Sequence, residues 1–148
     1  MGRKNVRDVL FKLIFENLFV DSSDSVTYEE FIKGEPLDFG NNNQVLISDI
    51  DSDNLEYFKE NYLSVLRNKT DILNLVAKHI TGYTIDNMFK IDLAILVMSV
   101  NELVYYKKTP VKIVANEAVE LAKKYSTDKS SSFVNGILAG IIKDLDIK

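Results

Sequence analysis

"IDLAILVMSVNELVYY", residues 91–106, decides the fold. On a helical wheel its apolar side chains fall on nearly every side, so a helix built from it must be surrounded by other elements. Asp92, Asn101 and Glu102 interrupt the run, which makes it a core helix and not a membrane span. The spacing predicts this helix from about Asp86 to Tyr106. The helices that enclose it must each offer one apolar face. "TPVKIVANEAVELAKKYS", residues 109–126, does so. Thr109 is the expected cap and Pro110 the first helical residue. Val111, Val114, Ala118, Leu121, Ala122 and Tyr125 then line one face, with charged and polar residues opposite. A last helix is expected from near Lys129 to Leu145, with Phe133, Val134, Ile137, Leu138, Ile141, Ile142 and Leu145 inward.

Upstream the same pattern recurs. Val6, Leu10, Leu13, Ile14 and Leu18 mark a helix from Val6 to Phe19, and "DNLEYFKENYLSVLR" marks one from Asp53 to Arg67, capped by Ser52 or Asp53. Another is expected from Thr70 to Ile80, broken at "TGYT". Between residues 21 and 36, "DSSDSVTYEEFIKGEP" holds a short helix at most, with Thr27 and Glu30 spaced as a capping box. "DFGNNN" is loop, and "QVLIS" reads as extended chain without a strand partner. There is no repeat and no low-complexity tract. The expected architecture is all-α, a compact bundle in one domain over residues 1–148.

Composition narrows the function. The chain has 148 residues, 46% of them hydrophobic and 27% charged, a net charge of −4 and no Cys. Disulfides, thiolate metal sites and cysteine nucleophiles are therefore excluded. Lys12, Glu16 and Asn17 break the N-terminal apolar run, so no signal peptide is expected. Val6 stands where a myristoylation signal needs Ser or Thr. A cytoplasmic location follows as the expectation. Between Asp21 and Asp53 lie nine acids and one base, read as a solvated connection, whereas the rest of the chain has 17 bases against 13 acids. That remainder can face a polyanion without net repulsion.

Arg3, Lys4 and Arg7 open the first helix, where the helix dipole disfavours each exposed cation by about 0.3–1 kcal/mol. Helix stability does not explain them; an external anion does. At the other end, Lys129, Ser130, Ser131 and Ser132 start the last helix, where N–H groups, hydroxyls and a cation suit either a phosphate or simple N-capping. Gly136 and Gly140, one turn apart, each cost about 1 kcal/mol against Ala, which suggests close approach of another backbone, a neighbouring helix in preference to a bound strand. Catalytic groups are poorly represented. His79 is the only histidine and reads as a partly exposed helix-end residue. Glu102 and Glu117 lack a cleft argument, and no phosphate loop or nucleophile elbow occurs. Asp49, Asp51, Asp53 and Glu60 have the spacing of a calcium loop, but Asn54 replaces its essential glycine. No cofactor, metal or small-molecule substrate is expected.

"DLAILVMSVNELVYY", "TPVKIVANEAVELAKKYS" and "SSSFVNGIL" follow one another as they do in the NusB family of transcription antitermination factors, which the chain resembles from its basic N-terminus to the last helix. The resemblance implies about seven helices in two three-helix sub-bundles and no enzymatic activity. It implies pairing with the ribosomal protein NusE. The pair would bind single-stranded boxA RNA within the transcription elongation complex, with RNA polymerase and other Nus factors, chiefly on ribosomal RNA operons.

By position, Arg3, Lys4 and Arg7 fall on the family's basic RNA-binding motif, and Lys129 to Ser131 border RNA. Phe15 and Glu102 fall on NusE contacts. Val97 and Asn101 depart from the family's usual Arg and Tyr. An alternative from another class is a helical protein-binding adaptor, in which the basic end is merely solvated.

Overall fold

The computed structural model describes residues 1–20, 26–82 and 84–148, so the first five residues of "DSSDSVTYEEFIKGEP" and Tyr83 of "TGYT" lie outside the described residues. Among these the chain is all-α apart from one minute hairpin. The elements are α1 (Arg3–Phe19), α2 (Tyr28–Ile32), β1 (Leu37–Asp38), β2 (Gln44–Val45), α3 (Ser52–Ala77), α4 (Lys90–Asn101), α5 (Val111–Tyr125) and α6 (Asp128–Asp144). The chain divides into two compact units, Met1–Lys59 and Glu60–Lys148.

In the first unit, α1 buries Val6, Val9, Leu10, Leu13 and Ile14. The expected capping box starts α2: Thr27 Oγ1 accepts from the Glu30 N–H, and the Glu30 carboxylate accepts from the Thr27 N–H. This box fixes a helix of only five residues, so that Tyr28 and Phe31 can pack on Phe58 with ring centroids 5.7 and 5.6 Å apart. "QVLIS" does have a strand partner, contrary to expectation. Leu37 pairs with Val45 and Asp38 with Gln44. The turn works because Gly40, Asn41 and Asn42 all take left-handed backbone, which Gly and Asn tolerate best. Asp38 Oδ1 also accepts from the Gly40 N–H at 2.8 Å.

Helix α3 runs unbroken for 26 residues where the sequence suggested two helices. Asn68 and Thr70 are poor helix formers, but the buried stripe continues past them to Ile72 and Val76, both fully buried. Packing overrides local propensity here. Asn68 Nδ2 donates back to the Ser64 carbonyl at 2.9 Å.

In the second unit α4 is the enclosed helix: every residue from Asp92 to Asn101 is buried. It begins later than Asp86, which lies in a separate 3₁₀ turn, Ile85–Asn87. Helix α4 packs on α5 and α6. Its polar interior residue Asn101 is satisfied inside the unit, donating from Nδ2 to Asn61 Oδ1 (3.0 Å) and accepting from Ser64 Oγ (2.7 Å). After Asn101 the chain widens into a π-helical turn, Glu102–Tyr106, and leaves it through Lys107 in left-handed backbone. Pro110 is the N-cap of α5, so the helix starts at Val111, one residue later than expected. Leu145, expected inward on the last helix, is 45% exposed beyond the end of α6. The six α-helices, with the π-helical turn beyond α4, come close to the expected seven.

The two glycines of α6 are not seats for another backbone. A Cβ at Gly136 would meet nothing within 4 Å, and one at Gly140 would stand 3.2 Å from the His79 ring. That ring lies between two acceptors, the Leu75 carbonyl at 3.0 Å from Nδ1 and the Asp144 carboxylate at 2.7 Å from Nε2. His79 thus ties the end of α3 to the end of α6.

Candidate functional site

The first turn of α1 has no acidic residue, and its N-cap, Gly2, offers no side-chain hydrogen bond. Arg3 and Lys4 therefore sit against the helix dipole uncompensated from within α1. Lys4 is exposed, and among the described residues it makes no ion pair. Arg3 is half-buried: its Nε donates to Asn54 Oδ1 at 2.7 Å, and its Cζ lies 4.1 Å from the centre of the Tyr57 ring. Arg7 differs. Only 4% of it is exposed, with Cζ 5.3 Å from the same ring. The helical wheel explains this, since Arg7 flanks Val6 on the inward side and its stem covers apolar surface. Its guanidinium is buried within the fold, which leaves Arg3 and Lys4 as the accessible cations of this cluster.

The second expected cluster is built around Asp92, in the first turn of α4 and 3% exposed. Its Oδ1 accepts from Ser126 Oγ and its Oδ2 from Ser130 Oγ, both at 2.9 Å. Thr127 caps α6 by accepting from the Ser130 N–H, and its hydroxyl lies 3.0 Å from Ser130 Oγ. Ser131, 9% exposed, donates to the Asp128 carbonyl. The serines are therefore internal, and the buried carboxylate makes the spot behind them unsuited to an anion. Lys129 alone of the three expected residues is exposed, without an ion pair among the described residues. Beside it opens a mostly apolar cleft of about 710 Å³, walled by Met88, Phe89 and Phe133. Phe89 is 65% exposed, a residue that reading for charge overlooked. An aromatic placed just before the enclosed helix was its signal.

The expected partner contacts differ in exposure. Phe15 is half-buried in a ladder of rings, with centroids 6.2 Å from Phe11 and 5.3 Å from Phe19. Glu102 is 2% exposed and accepts from Thr109 Oγ1 at 2.7 Å. Thr109 thus serves the π-helical turn and does not cap α5. Of the calcium-loop acids, Asp49 accepts from the Leu46 N–H, Asp51 from Asn54 Nδ2, and Glu60 pairs with Lys108. No group of three or more metal-ligating side chains occurs among the described residues. Nor is any helix there long and apolar enough to cross a membrane.

The fold is that of an all-α protein with an enclosed helix, and its candidate residues include the exposed cations Lys4 and Lys129 and the exposed ring of Phe89. The NusB family profile matches residues 4–143. The transcription antitermination protein NusB of Finegoldia magna is 36% identical over 143 residues, covering 97% of this chain and 95% of its own. That of Clostridium novyi is also 36% identical over 143 residues, covering 97% and 99%. Among solved structures, NusB of T. maritima shares the fold at a TM-score of 0.79 and 24% identity, over 97% of this chain and 92% of its own. A chain in the crystal structure of antitermination factors NusB and NusE with double-stranded RNA matches at a TM-score of 0.73 and 26% identity, over 96% of each. The chain belongs to the NusB family.

Proposed function

We propose that this protein is a transcription antitermination factor that binds boxA RNA together with the ribosomal protein NusE, chiefly on ribosomal RNA operons, in the cytoplasm and without catalysis. The observation that carries the reading is the pair of cations, Arg3 and Lys4, held at an uncapped helix start that disfavours them. A structural neighbour crystallised with NusE and RNA supports it. Arg3, Lys4 and Lys129 contact phosphates. Arg7 supports the first cluster from beneath, and Ser130 and Ser131 fix the helix start that carries Lys129. An unpaired base stacks on Phe89 in the adjoining cleft, as single-stranded RNA stacks on exposed aromatics. Phe15 meets NusE directly, while Glu102 shapes the 106–110 turn that meets it. RNA polymerase and the other Nus factors complete the assembly.

The test is a titration of boxA against scrambled RNA, with and without NusE, over a range of salt. Three phosphate contacts predict a log–log salt slope of about −2 from this chain, at roughly −0.7 per phosphate. Preference for boxA that emerges with NusE present is the expected result. Equal affinity for both RNAs under all conditions would instead favour the protein-binding adaptor, a reading to which the burial of Arg7 lends some weight.

A further inference from the structure

We infer that Asn54 and Tyr57 hold the Arg3 guanidinium as a preformed fork for an RNA phosphate, an inference that rests on the RNA-binding reading above. A guanidinium carries five N–H donors in one plane. One, on Nε, is taken by Asn54 Oδ1 at 2.7 Å. The four on the terminal nitrogens make no hydrogen bond among the described residues. Those are the donors that grip two oxygens of one phosphate side by side. The Tyr57 ring, 4.1 Å from Cζ and itself 1% exposed, fixes the plane from one face.

Asn54 is in turn held by two hydrogen bonds of its own. Its Nδ2 donates to Asp51 Oδ1 at 2.7 Å and to the Met1 carbonyl at 3.1 Å, which leaves Oδ1 as the acceptor for Arg3. Both ends of the amide are thus assigned by their partners. Each clamp residue touches Arg3 and not the RNA, so Asn54 and Tyr57 are positioning residues. Their effect is to remove rotamer freedom before binding, so that less is lost when the phosphate arrives.

The experiment is a double-mutant cycle, read by affinity of the full chain with NusE for boxA RNA and by the salt slope. Asn54→Ala is expected to weaken binding about two- to tenfold, the range for releasing one rotamer-rich side chain, with the slope unchanged because the charge remains. Arg3→Ala should make the slope shallower by about 0.7, and Asn54→Ala should then have no further effect in that background. The Arg3 Nε proton should also exchange slowly in the NMR spectrum of the free protein.

Equal loss from Asn54→Ala in both backgrounds would mean a general structural role and overturn the inference alone. A rapidly exchanging Nε proton would do the same. Absence of RNA binding by the unaltered chain, with the Nε proton protected, would overturn the underlying RNA reading, and the inference with it.

Discussion

Asp92→Ala tests the buried hydroxyl cluster that joins the start of α4 to the start of α6. The carboxylate is 3% exposed and accepts two hydrogen bonds of 2.9 Å, from Ser126 and Ser130. Charge-assisted bonds of this kind contribute about 1.5–3 kcal/mol each. Two facts reduce the loss. Ser126 and Ser130 lie 2.8 Å apart and can bond to each other once the carboxylate is gone, and Thr127 remains beside Ser130. A third fact adds to it, since Asp92 stands in the first turn of α4, where an acid is favoured by about 0.3–1 kcal/mol. The net expectation is a destabilisation of about 2–4 kcal/mol, or a fall in Tm of about 5–15 °C for a chain of this length. Asp92→Asn keeps one acceptor and the side-chain volume, and should cost about 1 kcal/mol. Urea unfolding followed by circular dichroism gives both numbers, and amide hydrogen exchange should accelerate first across residues 126–131. If Asp92→Ala changed stability by less than about 0.5 kcal/mol, the size of an ordinary surface substitution, the carboxylate would not be the anchor of the cluster.

Gly136→Ala should raise stability by about 1 kcal/mol, because an exposed helical site with nothing within 4 Å gains only propensity; at Gly140 the same change should gain less or lose, because its Cβ meets the His79 ring at 3.2 Å. Thermal unfolding of the two variants side by side decides it, and equal gains would refute the contact. Burial pushes the Glu16 carboxyl above the usual carboxylate range, outweighing the Lys12 ammonium 3.8 Å away. A raised folded pKa means that the folded state holds this proton more tightly, so the contribution of Glu16 to stability falls as pH rises from its unfolded to its folded pKa. Glu16→Gln should remove that fall, seen as a difference between the two unfolding curves across that pH interval. Phe89→Ala should leave Tm nearly unchanged, the ring being 65% exposed, yet weaken RNA binding by about 1–3 kcal/mol if one base stacks there; unchanged affinity would remove the base from the cleft.

Much of this fold was legible because it rests on period and local chemistry. The enclosed helix was marked by an apolar run with no polar face, and α1 by its recurrence at Val6, Leu10, Leu13 and Ile14. The Thr27–Glu30 box was readable because both partners lie within one turn. What escaped was decided at a distance. Two-residue strands have no period to read, so Leu37–Asp38 gave no sign of pairing with Gln44–Val45. The junction at Asn68–Thr70 looked like a break because propensity is local, whereas the burial of Ile72 and Val76 that carries α3 through it is not. The clusters divided in the same way. Lys4 and Lys129 stand exposed where charge suggested, but Arg7, Ser130, Ser131 and Glu102 turned inward. A buried Arg or Ser reads like an exposed one until its partner is known. One hint was available: Asp92 opens an apolar run and requires donors, and "YSTDKSSS" supplies more hydroxyls than one N-cap can use.

The burial of Arg7 sets it apart from Arg3, Lys4 and Lys129. A cation at a helix start is opposed by the dipole, and a flexible one adds the entropy of fixing it when an anion binds. Arg3 faces the first cost, but Asn54 and Tyr57 offset the second in advance. Lys4 and Lys129 have no such clamp. On the proposed RNA-binding reading, these exposed point charges act through the salt-sensitive part of binding, whereas Arg3 also acts through geometry. The distinction has a measurable form. Replacing Lys4 or Lys129 by Arg should leave affinity almost unaltered, while Arg3→Lys should lower it at every salt concentration with no change of slope. Had all three cations served only as a diffuse positive field, the three exchanges would be equivalent.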